Sequence, residues 1–276
     1  MSLETHGCGR LELAFESWGR GEHLLICLHG YGKERSDFRF LAESLTESHT
    51  CLLIDLPFHG DSKMEGFEAK EPLSVEEWNT WFRSLIRSAG KPYHTVLGFS
   101  LGGRLSLNYA QFPAEGFKGL ILLATDGILM NPWNRLFTHT SLGRRVFGYY
   151  MRASSRPESL ALFFEKWKLI TSKRRKLIVD NVSGPEAKQK LLATWLILRR
   201  LWPDLARIDR ILKDGAYVSI FLGRYDQIIR PRAIKQKLKK KGLSWPVADL
   251  NCGHDMMNKA VFTIIKEELI RKTGIE

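Results

Sequence analysis

Short runs that are apolar at nearly every position recur along this chain, and each is followed by a segment with helical periodicity. The apolar runs are predicted strands, at His23–Leu28, Thr50–Leu56, Thr95–Phe99, Gly119–Thr125 and Tyr217–Leu222. A strand that is apolar on both faces is typical of a parallel sheet covered by helices on both sides. The alternation therefore predicts an α/β protein with a doubly wound, mostly parallel sheet and right-handed crossovers.

The intervening segments are predicted helices, at Glu34–Glu47, Ser74–Ala89, Leu101–Phe112, Arg232–Lys241 and from about Met256 to Lys272. One more strand is predicted at Val247–Leu250, before the last helix. Near the start of the chain, Arg10–Trp18 alternates apolar and polar residues. That pattern is typical of an antiparallel strand, and we expect it at the edge of the sheet.

The alternation stops between about Gly127 and Pro203, where only amphipathic helices are predicted, at Leu142–Ala153, Glu158–Val179 and Glu186–Trp202. Residues 131–200 contain fifteen basic and four acidic residues, a local excess of +11 in a chain whose net charge is +12. So sharp a change in composition indicates a separate structural unit. We therefore predict a core domain of residues 1–126 and 206–276, interrupted by an all-helical cap of residues 127–205.

Composition excludes several classes of protein. With 44% hydrophobic residues in 276, the chain can build a full core, which argues against disorder. No apolar run approaches the roughly 18 residues of a membrane span, and the first residues lack the pattern of a signal peptide. The four cysteines form no CxxC pair. We therefore expect a cytoplasmic protein with reduced, buried thiols and neither a zinc site nor a disulfide framework.

The strongest chemical signal is Gly98-Phe99-Ser100-Leu101-Gly102, which matches G-x-S-x-G between a predicted strand and a predicted helix. A serine on such a tight turn is held in a strained conformation that projects its hydroxyl from the sheet. The amide of Leu101 lies at a helix N-terminus, where it can stabilise an oxyanion. The alternative is a glycine-rich turn with an incidental serine, but the agreement of motif and context favours a nucleophile.

A serine hydroxyl needs a base, and His254 is the candidate. It follows the last predicted strand and precedes the last helix, in a loop at the carboxyl edge of the sheet, where sites of this fold class gather. Four other histidines lie near the chain start or at strand starts, the wrong end of the sheet: His6, His23, His49 and His94. His139 lies in the insertion.

The base in turn needs an orienting carboxylate, for which two aspartates compete. Asp226 ends the strand Tyr217–Leu222, whereas Asp126 ends the preceding strand. We favour Asp226 because its loop neighbours the final strand, which gives the order Ser, Asp, His along the chain. Asp255, beside the histidine, is expected at the surface.

A second amide donor for an oxyanion is predicted at His29-Gly30-Tyr31-Gly32, a glycine-containing turn at the end of the strand His23–Leu28. The amide of Tyr31 is the candidate. On its own this motif is weak evidence, and its position upstream of the serine turn strengthens it.

Taken in this order, the motifs resemble the α/β-hydrolase superfamily, in the branch with a helical cap inserted after the sixth strand. The resemblance covers nearly the whole chain. Asp55–Ser62 is similar to the family's D-x-P-G-x-G-x-S loop, although Phe58 stands where that pattern has its first glycine. Family members that act as dehalogenases or epoxide hydrolases use an aspartate nucleophile, and Ser100 argues against both activities.

The resemblance implies that Ser100 is the nucleophile, His254 the base and Asp226 the acid, with Asp126 as the alternative acid. It implies an oxyanion hole made by the amides of Tyr31 and Leu101. It further implies a set of substrate-binding residues beside them: His29, Gly30, Phe58 and Phe99. This mechanism requires no metal and no organic cofactor.

The implied function is a serine hydrolase that cleaves a small or medium carboxylic ester or thioester through an acyl-enzyme. The same triad also serves carbon–carbon bond hydrolysis, cofactor-free elimination and acyl transfer to another acceptor. A third alternative is a ligand-binding protein whose triad is idle.

The cap is expected to lie over the carboxyl edge of the sheet and to shape an apolar acyl pocket. Its basic residues have three interpretations: a solvated face, attraction of an anionic substrate, or contact with an anionic lipid surface through Lys173-Arg174-Arg175-Lys176. The chain contains no nucleic-acid recognition motif, so a nucleic-acid partner is not expected. The oligomeric state is not predicted.

Overall fold

A mixed sheet of nine strands forms the centre of the fold in the computed structural model, which describes residues 3–65, 71–130, 132–153 and 185–275. The strands are β1 (Leu3–Cys8), β2 (Leu11–Trp18), β3 (His23–Leu28), β4 (His49–Ile54), β5 (Lys63–Met64), β6 (Tyr93–Phe99), β7 (Phe117–Leu123), β8 (Tyr217–Gly223) and β9 (Val247–Leu250). Their order in the sheet is β1-β2-β4-β3-β6-β7-β8-β9, and β5 pairs with β2.

The strands from β4 to β9 in that order are parallel to one another, whereas β2 pairs antiparallel with β1, β4 and β5. Every residue of β3 and β4 is buried, as expected of strands covered on both faces. The predicted fold class, a doubly wound and mostly parallel sheet, is confirmed. Each predicted parallel strand is present, with ends that differ from the prediction by at most two residues.

The prediction that Arg10–Trp18 lies at the edge of the sheet was wrong. The segment Leu11–Trp18 is antiparallel, but it lies between β1 and β4, and β1 forms the edge. β1 is exposed along most of its length, so its sequence lacks the apolar alternation that marks a strand. It forms because its backbone pairs with β2, with Leu3 opposite Glu16 and Cys8 opposite Leu11.

The helices of the described part are α1 (Arg39–Glu43), α2 (Val75–Ala89), α3 (Leu101–Tyr109), α4 (Pro132–His139), α5 (Ser141–Ala153), α6 (Pro185–Ile197), α7 (Leu205–Lys213), α8 (Pro231–Lys240) and α9 (Lys259–Thr273). Short 3-10 turns precede α1 at Arg35–Phe38 and follow α6 at Leu198–Arg200. No described helix meets both the length and the apolarity of a membrane span. Two of these helices, α4 and α7, were not predicted, and α1 is much shorter than the predicted Glu34–Glu47.

Helices cover both faces of the sheet. On one face, Phe38 and Leu41 pack with Phe262 and Leu269 of α9 against the central strands. The other helix layer includes α2 and α3, where the Phe82 ring stacks on that of Tyr109 at 4.2 Å between centroids. α2 begins where Ser74 accepts a hydrogen bond from the Glu77 amide, as its Ser-x-x-Glu capping box predicts.

The chain divides into two compact units. One comprises Met1–Glu65, Ser74–Leu129 and Leu201–Glu276 and contains the sheet. The other comprises Gly66–Leu73 and Met130–Arg200, and its described elements are α4, α5, α6 and the 3-10 turn after α6. Its bounds differ from the predicted cap, residues 127–205, by a few residues at each end. It also includes a segment that was not predicted, in which the Leu73 amide donates to the Ile197 carbonyl at 2.8 Å.

Two features of the predicted cap lie outside the described residues. These are the helix Glu158–Val179 and the basic cluster Lys173–Lys176.

Candidate active site

Ser100 occupies a strained turn between β6 and α3. Its backbone angles are φ 51° and ψ −112°, a region that residues with a side chain rarely adopt. Two backbone hydrogen bonds hold it there: its amide donates to the Leu123 carbonyl at 2.9 Å, and its carbonyl accepts from the Asp126 amide at 3.0 Å. The neighbouring strand β7 and the residues after it therefore fix the position of the hydroxyl.

The glycines around Ser100 are required by close packing. A Cβ atom on Gly98 would lie 2.4 Å from the Ser106 hydroxyl oxygen, and one on Gly102 would lie 2.1 Å from the Leu28 carbonyl oxygen. One on Gly103 would lie 2.2 Å from the Thr125 hydroxyl oxygen. The absence of side chains thus lets α3 begin at Leu101, directly against β3 and the end of β7. The amide of Leu101 belongs to the first turn of a helix, where amides have no partner within the helix.

His254 joins Ser100 to Asp226. Its Nε2 lies 3.1 Å from the Ser100 hydroxyl oxygen, and its Nδ1 lies 2.7 Å from Oδ2 of Asp226. Because a carboxylate can only accept, the Nδ1–H donates to Asp226 and Nε2 is left to accept the serine proton. The geometry of a nucleophile, a base and an orienting acid is therefore present.

The two loops that carry Asp226 and His254 are joined by backbone hydrogen bonds. The Arg224 amide donates to the Leu250 carbonyl at 2.8 Å, and the Tyr225 amide donates to the Cys252 carbonyl at 3.0 Å. A Cβ atom on Gly223 would lie 2.1 Å from the Gly253 carbonyl oxygen, so glycine permits this close approach.

The carboxylate of Asp226 is buried and held in one orientation. Its residue is 4% exposed, and its Oδ1 accepts from the amides of Ile228 at 2.7 Å and Ile229 at 3.0 Å. These two amides leave Oδ2 for the imidazole of His254.

Neither of the other two aspartates near the site contacts the imidazole ring. The alternative acid, Asp126, accepts from the Gly127 amide through Oδ1 and lies 3.6 Å from Nη1 of Arg104 through Oδ2. Asp255 has an exposed side chain, as expected, and its Oδ2 lies 3.1 Å from Nζ of Lys33. The structure therefore pairs His254 with the favoured candidate, Asp226.

The His29–Gly32 turn lies against the serine turn. A Cβ atom on Gly30 would lie 2.9 Å from the Phe99 ring and 3.2 Å from Cβ of Ser100. The amides of Tyr31 and Leu101 thus belong to two segments that meet beside the nucleophile.

The four residues expected to bind substrate occupy different environments. Phe99 is buried, with its ring centroid 5.4 Å from that of His254, and Gly30 packs on it. His29 is fully buried, and both of its ring nitrogens bond to the backbone, at Gly30 and Leu56. The structure therefore does not present the imidazole of His29 to a substrate. Phe58 is half-buried and adopts φ 68°, a left-handed conformation that favours glycine, which is the residue of the family pattern at this position.

Sequence reasoning missed the residues that support the His29–Gly32 turn. Asp55 is fully buried, and its carboxylate accepts from the Arg35 amide at 2.9 Å, from the Asp61 amide at 3.1 Å and from the Arg35 guanidinium. His59 is buried, and its Nε2 accepts from the Gly32 amide at 3.4 Å. Asp55 and His59 both lie in the Asp55–Ser62 motif, so the resemblance of that motif to the family pattern was the sequence signal that could have identified them.

Three of the cysteines, Cys27, Cys51 and Cys252, have thiols whose environment makes them poor nucleophiles. Burial raises the pKa of the Cys27 thiol well above its ordinary value and that of Cys51 to about 12. Burial also raises the pKa of Cys252, with Asp226 and Asp255 adding to the effect. A thiol with a raised pKa forms little reactive thiolate. In the part of the chain that the structure describes, no group of three or more His, Cys, Asp or Glu side chains is arranged to hold a metal ion.

The chain is similar to known proteins in both sequence and fold. A family model described as the alpha/beta hydrolase fold matches residues 23–257. The chain is 30% identical over 115 residues to a 2-succinyl-6-hydroxy-2,4-cyclohexadiene-1-carboxylate synthase of Klebsiella pneumoniae, over 41% of this chain and 42% of that protein. It is also 30% identical over 114 residues to a pimeloyl-[acyl-carrier protein] methyl ester esterase of Serratia marcescens, over 41% of each.

The matches thus span about two fifths of the length of these curated relatives. Among solved structures, a thermophilic esterase from Thermogutta terrifontis is similar over 99% of both chains, with a TM-score of 0.68 and 19% identity. At that identity the likeness concerns the fold alone.

Proposed function

Since this chain belongs to the alpha/beta hydrolase fold family, we propose that it is a serine hydrolase that cleaves a carboxylic ester or thioester through an acyl-enzyme on Ser100. One observation carries the proposal. The hydroxyl of Ser100, the imidazole of His254 and the carboxylate of Asp226 form a continuous hydrogen-bonded series, with distances of 3.1 and 2.7 Å.

In the first half of the reaction, the Ser100 oxygen attacks the carbonyl carbon while Nε2 of His254 takes the hydroxyl proton. The carbonyl electron pair moves onto oxygen, and the amides of Tyr31 and Leu101 stabilise that anion. When the intermediate collapses, the bond to the leaving group breaks and His254 donates its proton to the leaving alkoxide or thiolate. Asp226 stabilises the imidazolium that exists between these two proton transfers.

In the second half, His254 takes a proton from water, whose oxygen attacks the acyl carbon. Collapse of the second anion breaks the bond to Ser100, and His254 returns the proton to the serine oxygen. The net result is hydrolysis to an acid and an alcohol or thiol, and the protein ends in its starting state.

Exposed apolar side chains on the same loops support a substrate with an apolar portion. Tyr31 lies in the turn that holds one proposed amide donor and is 37% exposed. Tyr225 and Ile228 flank Asp226 and are 62% and 54% exposed. Exposed apolar side chains grouped beside catalytic groups are typical of a surface that binds an apolar part of a substrate.

The proposal is tested with a fluorophosphonate probe and p-nitrophenyl esters of acetate, butyrate and octanoate. We expect one equivalent of probe on wild-type protein and none on Ser100→Ala, which should also lose at least about 10³-fold in turnover. The matched control is Ser88→Ala, because Ser88 lies on α2 and its hydroxyl donates to the Leu85 carbonyl. That variant should label and turn over like the wild type. Unchanged ester turnover by Ser100→Ala would refute the assignment.

A second candidate uses the same triad for elimination or carbon–carbon bond hydrolysis. The observation that favours it is the similarity to the synthase of Klebsiella pneumoniae. It is distinguished by a panel of esters, thioesters and ring-cleavage diketones. Labelling of Ser100 without turnover of any ester or thioester would support this candidate, whereas absence of labelling would support a ligand-binding protein with an idle triad.

A further inference from the structure

We propose that His29 is a positioning residue that fixes the direction of the Tyr31 amide in the oxyanion hole. The inference rests on the proposed function, since it concerns the donor that stabilises the acyl-transfer intermediate. It differs from substrate binding, because the imidazole of His29 acts on the protein backbone and is fully buried.

The carbonyl of Gly30 and the N–H of Tyr31 belong to the same planar trans peptide, so they point in opposite directions. The Gly30 oxygen lies 2.8 Å from Nδ1 of His29 and also accepts from the Lys33 amide at 3.2 Å. Two donors on the oxygen fix the peptide plane, and they thereby fix the direction of the Tyr31 N–H at the opposite edge.

The imidazole of His29 carries its proton on Nδ1. The Leu56 amide donates to Nε2 of His29 at 3.0 Å, which requires a lone pair on that nitrogen. The proton of the neutral imidazole therefore lies on Nδ1, where it is donated to the Gly30 oxygen. Oδ1 of Asp55 also faces Nε2, but at 3.7 Å, and that carboxylate is already bonded to the Arg35 amide.

A neighbouring ring must fix the orientation of the Gly30–Tyr31 peptide, because Gly30 cannot do so itself. Gly30 has no side chain, and a Cβ atom there would lie 2.9 Å from the Phe99 ring and 3.2 Å from Cβ of Ser100. Glycine is required for the close approach, and glycine also leaves the peptide free to rotate. An external hydrogen bond to the carbonyl removes that freedom.

A second histidine supports the other side of the same turn. Nε2 of His59 accepts from the Gly32 amide at 3.4 Å, and its Nδ1 lies 3.0 Å from the Pro57 carbonyl oxygen. The rings of His29 and His59 pack edge to face, with centroids 5.1 Å apart. The peptides before and after Tyr31 are therefore both held by imidazoles, and both imidazoles bond to the segment that follows β4.

Side-chain replacements distinguish the roles of the two ring nitrogens of His29. Asparagine places an amide N–H near the position of Nδ1, glutamine reaches the position of Nε2, and leucine supplies neither. We expect His29→Asn to keep kcat within about 10-fold of wild type. We expect His29→Gln and His29→Leu to lose about 10²-fold in kcat with KM changed less than 3-fold, as for loss of one oxyanion donor.

The matched control is His94→Gln. His94 is also fully buried and its Nε2 bonds to the Tyr109 hydroxyl at 2.7 Å, but it lies at the amino end of β6. The His94→Gln variant should have a lower unfolding temperature than the wild type and an unchanged kcat. A His29→Gln protein with wild-type kcat, or one in which only KM rises, would overturn the proposal.

A measurement on the wild-type protein covers the case in which the variants do not fold. Nitrogen-15 NMR of the imidazoles at pH 8 should show a proton on Nδ1 of His29 and none on Nε2. The opposite tautomer would overturn the proposal even if the protein is an active hydrolase. A wild-type protein that neither labels nor turns over esters would instead refute the proposed function.

Discussion

The backbone amide of Asp126 donates a hydrogen bond to the carbonyl oxygen of Ser100 at 3.0 Å. The carboxylate of the same residue lies beside Arg104, at 3.6 Å. Asp126 therefore supports the serine turn through its backbone, while Asp226 supplies the carboxylate that contacts His254. The two aspartates follow neighbouring strands but have different roles.

Asparagine at the two positions should have different effects. Asp226→Asn should lower kcat by about 10⁴-fold, because an amide favours the wrong tautomer of the imidazole. Asp126→Asn should keep kcat within about 10-fold while lowering stability, because Arg104 loses its carboxylate partner in a buried site. Turnover of an activated ester is measured per probe-reactive site, beside thermal unfolding. Equal losses of kcat in the two variants would contradict the assignment of the acid.

Replacement of Ser100 should separate backbone strain from chemistry. Ser100→Gly and Ser100→Ala should both be inactive, but the glycine variant should be more stable by about 1 kcal/mol, because φ 51° is strained for any residue with a Cβ. Thermal or urea unfolding of the two variants gives the difference. An alanine variant as stable as the glycine variant would mean that the turn relaxes once the hydroxyl is gone.

Gly102 should tolerate no side chain. The Cβ atom of Gly102→Ala would lie 2.1 Å from the Leu28 carbonyl oxygen, so α3 must move away from β3. We expect a loss of about 1–3 kcal/mol or more in stability, as for overpacked cores, and a large loss of turnover. The control is Gly7→Ala on β1, where nothing lies within 4 Å of the added atom. Comparable stability of these two variants would show that the serine turn is not closely packed.

The exposed apolar side chains beside Asp226 should favour longer acyl chains. Ile228→Ser and Tyr225→Ser should each lower kcat/KM for the octanoate ester by about 5-fold relative to acetate, because less apolar surface is covered. Tyr93→Ser is the control, since Tyr93 is similarly exposed at the amino end of β6. If the ratio of octanoate to acetate is unchanged in the first two variants, these side chains do not contact the acyl group.

Stability should fall as the pH decreases from about 6.5 towards 4. Burial lowers the pKa of His23, His49 and His94 to about 4, and these histidines lie at the amino ends of three adjacent strands. The unfolded chain then binds more protons than the folded chain within this window. Stability is therefore complete above pH 6.5 and is lost below it, by at most about 1.4 kcal/mol per pH unit for each histidine.

Urea unfolding at pH 7.5 and 5.5 measures this change above the range where carboxylates titrate. His94→Gln should reduce the difference between the two pH values, because one titrating group is removed. An unfolding free energy that is the same at both pH values would contradict the lowered pKa values.

Local patterns account for much of the fold. Apolar runs marked the strands β3, β4, β6, β7 and β8, because burial on both faces restricts composition at most positions. β9 was also predicted, although its four residues are only partly buried or exposed. The strands β1 and β5 and the helices α4 and α7 were not predicted. β1 is exposed, so its pairing depends on the free backbone of β2 and leaves no pattern in its own side chains.

The sequence by itself determined the fold class and the local shape of the serine turn. Strand burial and the spacing of Gly98, Ser100 and Gly102 act over a few residues, and sequence patterns record interactions at that range. The sequence favoured Asp226 but left Asp126 open as the partner of His254, and the tertiary structure decided between them. Only the tertiary structure showed that the imidazole of His29 faces the backbone. The bonds of His254 to Asp226 and Ser100 span 28 and 154 positions, and the bond between His29 and the Leu56 amide spans 27. These bonds depend on the order of the strands in the sheet, which no local pattern contains.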